Sequence, residues 1–126
     1  MSYRITREQF EELAEKALES IPYRFRKRFK NIAIIVKDYP EEEFGDVAKD
    51  RKYSLLGLFV GQTYENQNSF FSIPSPYPDT IYLYQRNIEL LCSNESDILK
   101  EIRATLLHEV GHYFGLSEED LRRSGL

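Results

Sequence analysis

The feature that most constrains this chain is a pair of histidines four residues apart, in the segment His108-Glu109-Val110-Gly111-His112. On an α-helix, residues at i and i+4 stand one turn apart on the same face. Two imidazoles at this spacing can direct nitrogen atoms to one metal ion, at a Zn–N distance of about 2.0–2.1 Å. Glu109 reaches the same side of the helix, where it can take a proton from a water molecule that the metal activates. The pattern therefore predicts a zinc-binding helix with a catalytic carboxylate.

The residues after the motif supply candidates for a third zinc ligand. The chain has only two histidines, so this ligand must be a carboxylate or come from another molecule. In the pattern H-E-x-x-H-x-x-G-x-x-H the third ligand follows the glycine by three residues. Gly115 occupies that glycine position and Glu118 the ligand position, although the only methionine is Met1 and no Met-turn can form. We expect Glu118 to be the ligand, with Asp120 and then Glu119 as alternatives.

Both the histidine pair and the acidic residues also have a simpler explanation that involves no metal. Histidines four residues apart can simply occupy a hydrated helix face with Glu109 exposed beside them. Acidic residues such as those at 118–120 are favoured in the first turn of a helix by its dipole. The combination of motif, following glycine and acidic cluster favours the metal site over chance.

Length and composition limit the classes of protein that the chain can represent. With 126 residues we expect a single domain, 1–126, with a modest core. A formal net charge of −4 gives no case for nucleic-acid binding. The first residues lack the apolar stretch of a secretory signal, and no apolar run approaches the ~20 residues of a membrane span. The single cysteine, Cys92, cannot form an internal disulfide and is expected in the core, so we expect a cytoplasmic protein without membrane contact.

The first part of the chain predicts a helix and a basic segment. The segment 6–9 fits a capping box, in which Thr6 and Gln9 satisfy each other's main-chain N–H groups. The apolar residues that follow at helical spacing are Phe10, Leu13, Ala14, Ala17, Leu18 and Ile21. For residues 23–31, which are basic and aromatic, a solvated helix face with Phe25 and Phe29 packed inward is favoured over a polyanion-binding patch.

Three strands are predicted in the middle of the chain. Residues 32–36 form a continuous β-branched run, typical of a buried strand. Residues 53–60 indicate a second strand with Gly57 as a bulge, and residues 80–85 a third strand with alternating side chains. The segment 62–79 between them predicts a long ordered loop, which either serves the site or covers an edge of the core.

Two further helices are predicted after the third strand, and the second of them contains the H-E-x-x-H motif. Asn87 is expected to cap a short helix, and Ser93 or Asn94 a long helix over residues 95–114. The apolar stripe of the long helix comprises Ile98, Leu99, Ile102, Leu106, Val110 and Phe114. His108 and His112 lie off this stripe, where an open metal site belongs.

These residues together resemble the minimal zincin-like metallopeptidases, small bacterial proteins of about this length. The resemblance rests on HEVGHYFGLSEEDL at 108–121 and DTIYLYQRNIELL at 79–91, supported by the initial helix and LLGLFVG at 55–61. It implies an α+β fold, in which a small mixed sheet packs on an N-terminal helix and a long active-site helix. It also implies that His108 and His112 bind zinc and that Glu109 is the general base. The family commonly has aspartate where this chain has Glu118, whose side chain is one methylene longer.

The leading functional expectation is a zinc-dependent metallopeptidase that acts on a peptide or an unfolded protein. The strand at 80–85 is expected to present an edge to an extended substrate. The group that stabilises the oxyanion is left open among Tyr113, Arg122 and Arg123. The alternatives are a metal-binding interaction module without turnover, which would have an unidentified protein partner, and a structural domain with a fortuitous motif.

Overall fold

The computed structural model describes residues 3–29, 32–41, 50–60 and 79–113, together with Glu119 and Arg122. For Arg28, His112 and Tyr113 it describes the backbone. The described ranges contain the helices α1 (Arg7–Ser20), α2 (Tyr23–Arg26), α3 (Gln85–Leu90) and α4 (Glu95–Tyr113), a 3-10 turn (Lys27–Phe29), and the strands β1 (Ile32–Lys37), β2 (Gly57–Val60) and β3 (Asp79–Tyr84). The predicted loop at 62–79 lies outside these ranges, except for Asp79, which begins β3.

Helix α1 begins at the predicted capping box. The Thr6 hydroxyl accepts a hydrogen bond from the Gln9 main-chain N–H at 3.1 Å, and the Gln9 side chain accepts one from the Thr6 N–H at 3.0 Å. The buried face of the helix consists of Phe10, Leu13, Ala14 and Ala17. Beyond α1, Phe29 is buried and Phe25 packs against the core, which confirms the inward orientation predicted for both rings.

The three strands form a mixed sheet in the order β1-β3-β2. β1 pairs with β3 in parallel, and β2 pairs with β3 antiparallel. β3 is therefore bonded on both sides, and the prediction that it offers an edge to a substrate is wrong. β1 lies at an edge of the described sheet, so its residues are half-buried or exposed and the prediction of a buried strand is wrong as well.

β2 is shorter than predicted and contains no bulge. Tyr53 lies in a turn, and the strand starts at Gly57, which pairs with Leu83 in a regular antiparallel register. A Cβ atom added to Gly57 would lie 2.6 Å from the Thr105 Cγ2 atom and 3.0 Å from the Tyr82 carbonyl oxygen. The glycine is therefore needed for the close approach of β2 to α4.

The two helices after β3 begin differently from each other. Asn94 caps α4, because its Oδ1 atom accepts a hydrogen bond from the Asp97 N–H at 2.9 Å. This was one of the two predicted caps. Asn87 does not cap α3, since the helix already begins at Gln85. Instead the Asn87 amide donates to the carbonyl groups of Lys52 (2.9 Å) and Leu55 (2.8 Å) and so holds the segment before β2 in place.

The core lies between one face of the sheet and helices α1 and α4. Ile81 and Leu83 of β3 are fully buried, as are Ile98, Ile102 and Leu106 on the predicted stripe of α4. Cys92 is buried as predicted, and burial raises the pKa of its thiol to about 11. None of the helices in the described part of the chain combines the length and apolar character that a membrane span requires. The predicted α+β architecture, with a small mixed sheet on two helices, is confirmed.

Candidate active site

Helix α4 presents His108 on its exposed side. The Nδ1 atom of His108 lies 2.7 Å from the carbonyl oxygen of Ala104, one turn earlier in the helix. A carbonyl oxygen only accepts, so Nδ1 carries the proton, and in the neutral imidazole the lone pair resides on Nε2. A hydrogen bond from one ring nitrogen to a backbone carbonyl is how proteins usually orient a histidine that binds metal through the other. This contact with Ala104 thus orients the His108 ring in a way that suits metal binding through Nε2.

Glu109, the next residue, is half-buried and contacts the sheet. Its Oε2 atom accepts a hydrogen bond from the main-chain N–H of Phe59 in β2 at 3.2 Å. The carboxylate therefore bridges the helix that carries the motif and the strand beside it. This contact places Glu109 at a fixed point along β2.

The hydrogen bonds between β2 and β3 show on which side of β2 the carboxylate of Glu109 lies. Tyr84 donates its N–H to the Leu56 carbonyl at 3.0 Å, so these two residues form a hydrogen-bonded pair. In an antiparallel ladder such pairs alternate along the strand. The main-chain groups of Leu58 and Val60 therefore face β3, whereas those of Gly57 and Phe59 face away from it. Glu109 lies at this outer edge of β2.

The remaining predicted ligands are placed less fully. The backbone of His112 lies on α4 one turn after His108, and its side chain is outside the description. Glu118 and Asp120 lie outside the described residues, and Glu119 is exposed in helical conformation. Among the described side chains no group of three potential metal ligands occurs. The donor chemistry still fits zinc, because the His108 imidazole lies on the exposed side of the helix and the backbone of His112 lies one turn further along the same face.

The candidates for the oxyanion-stabilising group are not brought to Glu109 by any described contact. Arg122 is exposed and helical, Tyr113 is described by its backbone, and Arg123 lies outside the described ranges. The sequence analysis did not predict the hydrogen bond between the Phe59 N–H and Glu109. Gly57 could have indicated that β2 approaches the helix, since a glycine inside an apolar strand often marks a close approach of two backbones.

The fold and this site together define a class: a small α+β domain in which an H-E-x-x-H helix packs beside an edge strand of the described sheet. The sequence profile of the family described as zincin-like metallopeptidase matches residues 29–126, and the chain belongs to this family.

Two further comparisons concern individual proteins. A solved structure of a conserved hypothetical protein from Thermus thermophilus is similar, with a TM-score of 0.57 and 24% sequence identity. The match covers 94% of this chain and 98% of that one, and it shows a shared fold. A comparison with curated proteins finds no match.

Proposed function

We propose that the chain is a zinc-dependent metallopeptidase that hydrolyses peptide bonds in peptides or unfolded proteins. The observation that carries the proposal is the hydrogen bond between Glu109 and the Phe59 N–H. It places the carboxylate of the motif at the outer edge of β2, which is where an extended chain can pair with main-chain groups. The proposed general base, Glu109, therefore lies at the strand edge to which a peptide backbone can bind.

Three residues are assigned to the metal. His108 binds through Nε2, His112 lies one helical turn away, and Glu118 is the carboxylate ligand that the motif spacing favours. When bound, zinc polarises the scissile carbonyl and lowers the pKa of a water molecule to about 7. The hydrogen bond from His108 to Ala104 holds the ring in place before any metal arrives.

Glu109 is assigned the proton transfers. The carboxylate takes the proton from the attacking water and gives it to the nitrogen of the leaving amine. Its contact with the Phe59 N–H limits rotation of the carboxylate, so that its orientation stays constant through the reaction.

The substrate backbone is assigned to the outer edge of β2. Both main-chain groups of Gly57 point to this edge, as the ladder shows. An extended peptide that pairs with them adds a strand beside β2 and brings one of its peptide bonds to Glu109. Main-chain pairing of this kind accepts many sequences, which suits a peptide or an unfolded protein as substrate.

Metal analysis of four forms of the purified chain tests the proposal. We expect about one zinc per chain in the wild type, Glu109→Gln and Glu119→Ala, and large loss of zinc in Glu118→Ala. Glu119→Ala is the matched control, because it removes the adjacent exposed carboxylate. The same proteins are then incubated with a mixed peptide library, and new termini are identified by mass spectrometry.

The outcomes separate the possible functions. Cleavage by the wild type and Glu119→Ala, but not by Glu109→Gln, is the expected result. Absence of zinc after reloading, or equal cleavage by Glu109→Gln, would contradict the proposal. Stoichiometric zinc without cleavage in any form would replace it with a metal-binding interaction module.

A further inference from the structure

A groove of about 680 Å³ runs between α1 and β1. β1 and β2 flank β3 on opposite sides, so the groove lies across the sheet from the contact between Glu109 and Phe59. Two neighbouring strand spacings put about 10 Å between these two strands. The groove is therefore separate from the candidate active site.

One wall of the groove is acidic. It is formed by Glu8, Glu11, Glu12 and Glu15, which recur at helical spacing on one exposed face of α1. In the part of the chain that the structure describes, none of the four forms an ion pair. Like charges at i and i+4, such as Glu11 and Glu15, destabilise a helix. Four carboxylates thus lie side by side along an open groove.

The opposite wall is the outer edge of β1. Tyr84 directs its N–H to β2, so the neighbouring amides of Ile81 and Leu83 face β1 and bracket Ile35 in the register. The main-chain groups of Ile34 and Val36 consequently face away from β3. Arg7 agrees with this direction, because its Nη1 atom donates to the Val36 carbonyl at 2.8 Å.

The side chains of this wall are apolar. Ile34 and Val36 are half-buried, and Ile35 is 39% exposed. Since Arg7 occupies the Val36 carbonyl, the groove combines the outward-facing main-chain groups of Ile34 and the Val36 N–H with apolar contacts and a row of negative charges. These are the three features that an extended peptide with basic side chains can satisfy at once.

We propose that the groove binds an extended basic segment of another protein, which pairs with β1 and directs lysine or arginine side chains to the glutamates of α1. The spacing supports this occupant. Glu8 and Glu15 are seven residues apart, about 10.5 Å along the helix. Alternate side chains of a strand are about 6.7 Å apart, so two or three of them span the acidic wall. Binding requires neither zinc nor Glu109 and does not depend on the proposed peptidase activity.

The test measures binding of a labelled peptide, Lys-Val-Lys-Val-Lys-Val-Lys, to the full chain by fluorescence anisotropy. The groove variant is Glu11→Lys, and the matched control is Glu19→Lys, an exposed residue of α1 outside the groove with the same change of charge. We expect Glu11→Lys to weaken binding about tenfold and Glu19→Lys to change it less than about twofold at physiological salt, where distant charges are screened.

A second peptide tests strand pairing. Methylation of its alternate main-chain nitrogens keeps the charges and removes the N–H groups that pair with β1, and we expect about tenfold weaker binding. Misfolding is excluded as the cause of a loss in Glu11→Lys by its thermal midpoint, which should stay close to that of the wild type because new attractions to Glu8 and Glu15 offset a new repulsion from Arg7.

Several results would overturn the proposal. They are absence of peptide binding, equal weakening by Glu11→Lys and Glu19→Lys, and equal affinity for the methylated peptide. Self-association of the wild type that Glu11→Lys abolishes would also overturn it, because the basic segment 23–31 of a second copy would then be the occupant.

Discussion

The Oε2 atom of Glu109 lies 3.2 Å from the main-chain nitrogen of Phe59 and accepts its hydrogen bond. Phe59 pairs with Ile81 at a position where its own N–H faces away from β3. This N–H is therefore not part of the sheet ladder, and it can orient a side chain without weakening the sheet. The position of Glu109 thus depends on the packing of β2 against α4 as well as on the helix that carries the residue.

Replacing Phe59 with proline should separate orientation of Glu109 from stability of the sheet. Proline removes the N–H, and an outward-facing position of an edge strand tolerates it. We expect kcat/KM for peptide cleavage to fall about tenfold below that of Phe59→Ala, which loses the same ring and keeps the N–H. Equal kcat/KM values for the two variants would show that the hydrogen bond does not matter for the reaction.

Gly57→Ala should force β2 away from α4. The new methyl group would meet the Thr105 Cγ2 atom at 2.6 Å, which is too close for two carbon atoms. We expect a loss of about 1–3 kcal/mol in the free energy of unfolding, measured by urea denaturation. Because Phe59 lies two residues further along β2, cleavage should also decrease.

Thr105→Ser provides the matching compensation. It removes the methyl group that Gly57→Ala would strike and keeps the hydroxyl. The double variant should regain part of the lost free energy of unfolding, with a coupling of about 0.5–3 kcal/mol in a double-mutant cycle. Strict additivity of the two changes would mean that the contact with the Tyr82 carbonyl, at 3.0 Å, dominates instead.

The parts of the fold that sequence analysis predicted depend on contacts between near neighbours in the chain. The capping pair Thr6 and Gln9 and the cap of α4 at Asn94 are three residues from their partners. The stripe of α4 repeats within a single helix. Each of these patterns lies within a short stretch of the chain, so the corresponding structure can be predicted without knowledge of the tertiary fold.

The incorrect predictions concern contacts between distant segments. The order of the strands decides that β3 is central and β1 lies at an edge, and no local pattern encodes this order. Asn87 resembles a cap by type, but its amide reaches main-chain groups of Lys52 and Leu55, more than thirty residues away. For the candidate site, the spacing of the motif indicates its helix, whereas the contact of Glu109 with Phe59 requires the packed sheet.

The buried carboxylate of Glu89 should stabilise the fold more than the exposed carboxylate of Asp38, which also pairs with Arg86. Glu89 is 1% exposed, and its carboxylate accepts hydrogen bonds from the Ile5 N–H at 2.8 Å, the Gln85 amide at 3.2 Å and Arg86 at 2.8 Å. Glu89→Gln leaves one of these donors opposite another donor, so we expect a loss of about 2–3 kcal/mol in the free energy of unfolding.

Asp38→Asn is the control for that change. Asp38 pairs with both Arg86 and Arg7, but its side chain is 50% exposed, and exposed ion pairs contribute at most about 1 kcal/mol each. Urea denaturation of both variants at neutral pH measures the difference. Similar losses for the two would indicate that removal of a negative charge, rather than of the buried acceptor, determines the effect.

Tyr84→Phe should stabilise the chain at neutral pH. The ring is fully buried, and its hydroxyl has no hydrogen-bond partner among the described residues. Removing a buried polar group that lacks a partner should increase the free energy of unfolding by about 1 kcal/mol. Tyr23→Phe is the control, because Tyr23 is 69% exposed and its hydroxyl remains in water in both states.

The same variant should change the response to alkaline pH. Burial, and then the negative charge that Tyr82, Glu41 and Glu109 can carry, raise the pKa of Tyr84 to about 12. The folded chain therefore holds this proton more tightly than the unfolded chain, whose tyrosine pKa is about 10. The resulting stability is fully present below about pH 10 and is lost as the pH rises towards 12. Urea denaturation between pH 8 and pH 11 should show a decline that is smaller by about 1 kcal/mol in Tyr84→Phe than in the wild type, while the contribution of Cys92 remains in both. Parallel declines in the two proteins would show that the Tyr84 hydroxyl is hydrated in the folded state.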